Sequence, residues 1–311
     1  MKLIKKIQNY LFLQKRLKIR AKKTILTSEI KNSIVSVNNT NFGHQLETKD
    51  FTFERNHPKE KLSEALKKYG IIIIKDFIPN DIAIIAGVEF EDNIKPILEK
   101  LKTEEFFEND QFLAQVGYSK LKSYSEYANY PKPVFLERRG RDNVDGGMID
   151  YFGFEKIISK FPNLSTIYKE QSNFDIVDII QNQTKLKIFE RQLNIYYNHS
   201  ITNPRGLHID GIGETFKSFV YLSDVFDLSK GPYTYVPKSH SNNKGKVNSI
   251  LTNEKYSGIY APEDVLLDPK FALPILAKAG SLVITYQNGI HGGWPQEEGQ
   301  TRIVMVNNYT H

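Results

Sequence analysis

The sequence predicts a mostly β chain with flanking helices, an α+β arrangement in which a helical N-terminal part wraps a cupin-like jelly-roll core. Three observations carry this. From about Leu186 onward, short β-rich runs recur at Lys187–Asn198, Phe216–Leu222, Tyr233–Val236, Ser281–Tyr286 and Arg302–Tyr309, with glycine and proline turns between them. Several short strands so punctuated read as an all-β barrel or jelly roll. Before Leu186 the patterns are mainly helical. The chain of 311 residues is 40% hydrophobic and 12% aromatic, enough for a sizeable core.

In chain order, residues 2–23 read as a cationic helix, with Leu3, Ile4, Ile7, Leu11 and Leu17 near helical spacing. Residues 1–32 hold ten Lys or Arg against one acid, so the net charge of +6 divides into +9 there and −3 elsewhere. Such an arm suits an anionic membrane surface; the plainer reading is a solvated helix packed on the body. Nucleic acid is not the expected partner of a mildly acidic body. Residues 24–56 read as a polar linker. Lys59–Tyr69 reads as a helix stopped by Gly70, and Ile71–Ile74 as a short buried strand. Ile82–Leu101 reads as a second helix that Pro96 kinks or interrupts. Residues 104–150 are aromatic and irregular, ending in the charged glycine-rich loop Arg138–Met148, and 154–183 reads as helical in two pieces. The division expected is therefore 1–56, a basic helix and linker, and 57–311, one catalytic domain. Within it, 57–185 would be mainly helical support and substrate loops, and 186–311 the jelly-roll core.

Cysteine is absent, which excludes disulfides, thiolate zinc sites and thiol nucleophiles. No run of eighteen apolar residues and no secretory signal is seen. The location expected is cytoplasmic, with the arm as a peripheral membrane contact.

The chemistry sits in the β-rich half. In Leu207-His208-Ile209-Asp210, the histidine and aspartate are two apart on an extended segment and point to one side. A second histidine, His291, follows the run Gly280–Tyr286 within Gly289-Ile-His-Gly-Gly293. Two histidines and one carboxylate form the facial triad of non-haem Fe(II) oxygenases, which leaves positions for a bidentate 2-oxo acid and O2. Arg302, opening the last strand, offers a fork for the far carboxylate of 2-oxoglutarate. On the substrate side, Arg138 and Arg141 suit an anionic group, Lys217 and Tyr221 alternate along one strand face toward the same cavity, and Trp294 would wall the site. His240 reads as a turn residue.

These residues resemble those of the phytanoyl-CoA dioxygenase family. The likeness runs from Leu193 to the C-terminus, more weakly over Leu62–Phe77, and includes Lys217–Asp224, Gly231-Pro-Tyr-Thr-Tyr-Val-Pro-Lys-Ser-His240 and His291-Gly-Gly293 with Arg302. The resemblance implies a double-stranded β-helix, iron held by His208, Asp210 and His291, and 2-oxoglutarate held by Arg302. It further implies a co-substrate contact from Asn194, with Tyr196 on the same strand face. Many members carry a serine where this chain has Gly293, a hydrogen bond that Tyr196 or Thr301 would replace. Related halogenases have a small residue where Asp210 stands, so hydroxylation of a small organic substrate is the reaction implied. Two other readings were weighed: a cupin-like hydrolase or isomerase using another ion, and a non-catalytic jelly-roll metal-binding or sensor protein tethered by its arm.

Overall fold

Two sheets of unequal size, with helices covering one face of the larger, place the functional residues. The computed structural model describes residues 46–139, 144–182, 184, 186–210, 214–241 and 272–311. The basic arm, with its expected membrane contact, and Arg141 lie outside these residues.

The body begins earlier than the sequence suggested. Thr52–Glu54, assigned above to the linker, form strand β1, which pairs in parallel with β2 (Ile71–Lys75). Phe51 beside it is fully buried. Between these strands lies helix α1 (Lys59–Tyr69), which ends as predicted at Gly70 in the left-handed conformation, φ 78°. Helix α2 (Asn80–Leu101) runs on through Pro96 rather than breaking there. Its apolar face (Ala83, Ala86, Phe90, Ile94 and Ile97) is buried, and that packing outweighs one missing helical hydrogen bond.

The stretch read as mainly helical support also supplies strands. β3 (Phe106–Glu108), β4 (Leu113–Val116), β5 (Val134–Glu137) and β6 (Ile149–Phe152) extend the large sheet, and α3 (Tyr124–Ala128) packs Tyr127 against Leu113, Leu136 and Phe152 on one face of them. Their shortness hid them, since three or four residues show no period. α4 (Pro162–Asn173) and α5 (Ile176–Gln181) are the two expected helical pieces. The jelly-roll strands follow: β7 (Phe189–His199), β8 (Phe216–Tyr221), β9 (Tyr233–Tyr235), β10 (Leu273–Pro274), β11 (Leu282–Tyr286), β12 (His291–Gly293) and β13 (Thr301–Thr310).

The large sheet has ten strands in the order β1-β2-β11-β8-β13-β7-β6-β5-β4-β3, and the small one three, β10-β9-β12. Alternation along each strand sorts side chains between two cores. Ile72, Ile74, Val220, Ile284, Ile195 and Met305 face the helices. Ile71, Ile73, Phe219, Tyr221, Val283, Val304 and Val306 face the small sheet, against Tyr235 and Ile275. This is the double-sheet jelly roll. No helix among the described residues is long and apolar enough to cross a membrane.

Candidate metal and co-substrate site

At one end of the layer between the sheets, apolar residues give way to polar ones. His208 is brought to the small sheet by a single antiparallel bridge to His291. The two residues exchange backbone hydrogen bonds, His208 N to His291 O at 2.7 Å and His291 N to His208 O at 2.9 Å. Each ring then donates from Nδ1 to the carbonyl two residues before it. His208 reaches Gly206 O at 2.7 Å, and His291 reaches Gly289 O at 2.9 Å. A proton on Nδ1 leaves Nε2 as a bare lone pair. Both Nε2 atoms lie 3.6 Å from Asp210 Oδ1. Burial holds His208 well below the ordinary histidine range, helped by the neighbouring His291 and Arg205, so its ring stays neutral.

Three lone-pair atoms thus converge within 4.8 Å of one another. That arrangement is repulsive without a cation, and its donor set of two imidazoles and a carboxylate suits a divalent transition metal. Burial pushes the Asp210 carboxyl up, but the Lys217 ammonium opposes it and the group is held well below the usual carboxylate range. Lys217 Nζ donates to Asp210 Oδ2 at 2.6 Å. Oδ2 is therefore engaged, and Oδ1 is the atom left to a metal. Lys217, expected at the substrate, instead pairs with the carboxylate.

Arg302 lies on β13, opposite Asn198 of β7. Its guanidinium is buried, donates from one Nη to Gly231 O, and has an Nε without a partner among the described residues. No carboxylate pairs with it there. Burial draws its pKa down from the usual arginine value, the mark of a charge that has lost water and gained no anion. Arg302, His208, Asp210 and His291 line one inner cavity of about 130 Å³, walled by Tyr221, Phe219, Val304 and Trp294. It opens beside a second, outer basin of about 1060 Å³, and Tyr196, Arg138, Arg205, Asp210 and Lys217 border both.

The other expected residues divide. Tyr196, Tyr221 and Trp294 line the inner cavity. Asn194 lines neither cavity; its side-chain carbonyl accepts from Gly153 N at 3.2 Å. Thr301, next to Arg302 on the strand, alternates to the other face, where its hydroxyl meets His199 Nδ1 at 2.9 Å. Arg138 lies at the rim but is already paired. Its Nε donates to Asp150 Oδ2 at 2.6 Å and its Nη1 to Asp145 Oδ2 at 3.2 Å. With buried Asp150 as partner, it braces the rim rather than offering a free charge. Gly293 has a steric reason: a Cβ there would lie 3.1 Å from Pro204 Cβ, so this chain's proline fills the space a serine needs. His240 is buried and its Nε2 meets Lys67 O at 2.9 Å, a turn residue as read.

Sequence reasoning missed Asn198, Arg205 and Gln287, all lining the inner cavity. Asn198 shared the strand face of Tyr196 and was findable by counting in twos. Nothing in the local sequence marked the other two.

No family model and no curated protein matches this sequence. Among solved structures, the epimerase SnoN in complex with Fe3+, alpha ketoglutarate and nogalamycin RO aligns with TM-score 0.48 and 12% identity, covering 81% of this chain and 83% of that one. EvdO2 from Micromonospora carbonacea var. aurantiaca, complexed with 2-oxoglutarate, aligns at 0.49 and 10%, over 82% and 91%. HygX from Streptomyces hygroscopicus, with nickel and 2-oxoglutarate bound, aligns at 0.44 and 10%, over 81% and 87%. At TM-scores below 0.5 these likenesses lend no weight to the site, which stands on its own atoms.

Proposed function

We propose that this chain is an Fe(II)- and 2-oxoglutarate-dependent oxygenase that hydroxylates a C–H bond of a small organic substrate. One observation carries the reading: a buried guanidinium without an anion and three converging lone pairs share a single small cavity. A dicarboxylic 2-oxo acid satisfies both ends at once, which a hydrolase or isomerase site would not require. Asp210 in the triad favours hydroxylation over halogenation.

His208 Nε2, His291 Nε2 and Asp210 Oδ1 would hold the metal on one face. Bound Fe(II), with 2-oxoglutarate and O2, supplies the oxidising power for the C–H bond and leaves succinate and CO2. The chain's own residues supply position. The Nδ1 bonds to Gly206 and Gly289 fix both ring orientations. Lys217 holds the carboxylate to one free oxygen. Arg302 grips the far carboxylate, which orients the keto end. Tyr221, Phe219, Val304 and Trp294 keep water from the inner cavity. The outer basin, on the Asp210 side, is where substrate would approach.

The test is anaerobic addition of Fe(II) and then 2-oxoglutarate to purified protein, followed by visible spectroscopy and by succinate release once air is admitted. A charge-transfer band that needs both additions, lost in His208→Ala, supports the assignment. A folded, iron-loaded protein that shows no band with 2-oxoglutarate overturns it.

A further inference from the structure

The outer basin differs in character from the inner cavity. Arg139, at the end of β5, and Arg191, on β7, both line it. Both are exposed, and neither forms an ion pair among the described residues. Arg205 lines the basin too, while the other two cations there, Arg138 and Lys217, are committed to carboxylates. Among the described residues the acids in its lining are Asp145 and Asp210, which those same two cations pair with. Among the described lining residues the unbalanced charge is therefore positive, and its exposed share, on Arg139 and Arg191, defines the outer wall of the basin. Exposed rings line the same basin: Tyr118 is 57% exposed and Tyr124 50% exposed. Tyr124 is braced edge-on by Tyr127 at 5.3 Å and Phe152 at 6.0 Å. Exposed aromatic faces beside arginine forks are the usual means of binding a flat ring that carries an anionic group. A basin of about 1060 Å³ lies at the upper end of small-molecule sites, which run to ~1,000 Å³.

We infer that the substrate is a ring-bearing anion, a phosphate, sulfate or carboxylate, whose charged group is held at the outer wall by Arg139 and Arg191 while its ring lies on Tyr124 and Tyr118. This rests on the oxygenase reading only for what happens next; the binding itself needs neither iron nor 2-oxoglutarate. Anchoring the charged end at the wall would leave the uncharged end to reach past Tyr196 toward the metal.

The experiment uses full-length, metal-free protein and two probes with the same ring, 4-nitrophenyl phosphate and the neutral 4-nitrophenyl β-glucoside, with binding followed by titration calorimetry. The phosphate is expected to bind about tenfold tighter than the glucoside, with a preference that weakens as salt rises. Arg139→Ala and Arg191→Ala should each remove most of that preference, and Tyr124→Ala should weaken both probes. Arg302→Ala should leave phosphate binding unchanged, which separates the basin from the inner cavity. Equal affinity for the two probes, no binding of either, or a preference that survives both arginine changes would overturn the inference. Because no metal is present, these results are independent of whether the iron assignment holds.

Discussion

Lys217 and Asp210 form an ion pair in the site: Nζ lies 2.6 Å from Oδ2 while the other carboxylate oxygen faces both imidazoles. Lys217→Met should cut divalent metal affinity about ten- to hundredfold without unfolding the protein, as loss of partners behind metal ligands does. Isothermal titration with Fe(II) or Ni(II) checks this, and Lys217→Arg should recover part of the loss.

The same pair sets a pH dependence. Asp210 has a folded pKa below its unfolded one, so its ionisation stabilises the metal-free protein above the unfolded value. That contribution disappears only as pH falls through the depressed folded value. In Lys217→Met the strongest group opposing burial is gone, so the carboxyl moves up. Metal binding, which needs the carboxylate, should then fail at a higher pH than in the wild type. Metal titrations at neutral and weakly acidic pH would show it; identical profiles would remove Lys217 from this role.

Arg302→Leu separates gripping from folding. The buried guanidinium has no anion among the described residues, so replacing it with an apolar side chain should leave the melting temperature of the ligand-free protein unchanged or raised. In the wild type, 2-oxoglutarate with metal should raise that temperature by mass action, and in the variant it should not. The affinity loss expected is about hundredfold, roughly 3 kcal/mol for a lost charge-assisted contact.

Arg138 should behave in the opposite way. Its removal strands Asp150, whose side chain is fully buried. Arg138→Ala is expected to lower unfolding stability by roughly 3 kcal/mol or more, the usual result of breaking a buried pair. Asp150→Asn should cost less, since it leaves an amide rather than a charge. Urea unfolding measures both, and a neutral Arg138→Ala would restore the residue as a substrate contact.

Gly293→Ser tests the departure from the related pattern. With Pro204 Cβ 3.1 Å from the new Cβ, crowding should cost about 1 kcal/mol. The double change with Pro204→Gly should recover the crowding part, read by thermal unfolding.

How much of this was legible in the sequence follows from what each signal depends on. That His208, Asp210 and His291 come together was readable, because a His-x-Asp pair and a distant histidine are few enough in this sequence to be weighed as one set. The strands β7, β8, β11 and β13 were readable because they are long enough to show alternation. β3 to β6 were not, because three or four residues carry no period and their pairing partners lie far away in the chain. Lys217 and Arg138 were seen, but their carboxylate partners were not. Whether a cation meets a substrate or a carboxylate depends on Asp210 and Asp150, and that is decided by tertiary packing. Thr301 was misplaced by one residue of alternation, a rule already available in the sequence.

β13 lies between β8 and β7, at the middle of the large sheet. Without it, the other nine strands fall into two separate ribbons, β1-β2-β11-β8 and β7-β6-β5-β4-β3, each with an open edge. During synthesis those edges stay unpaired until residues 301–310 have left the ribosome, which makes the interval before that the time of greatest exposure to misassembly. The strand that ends this interval also brings in Arg302. A nascent chain can therefore gather His208, Asp210 and His291 before it has any guanidinium beside them, but a finished sheet always carries all four.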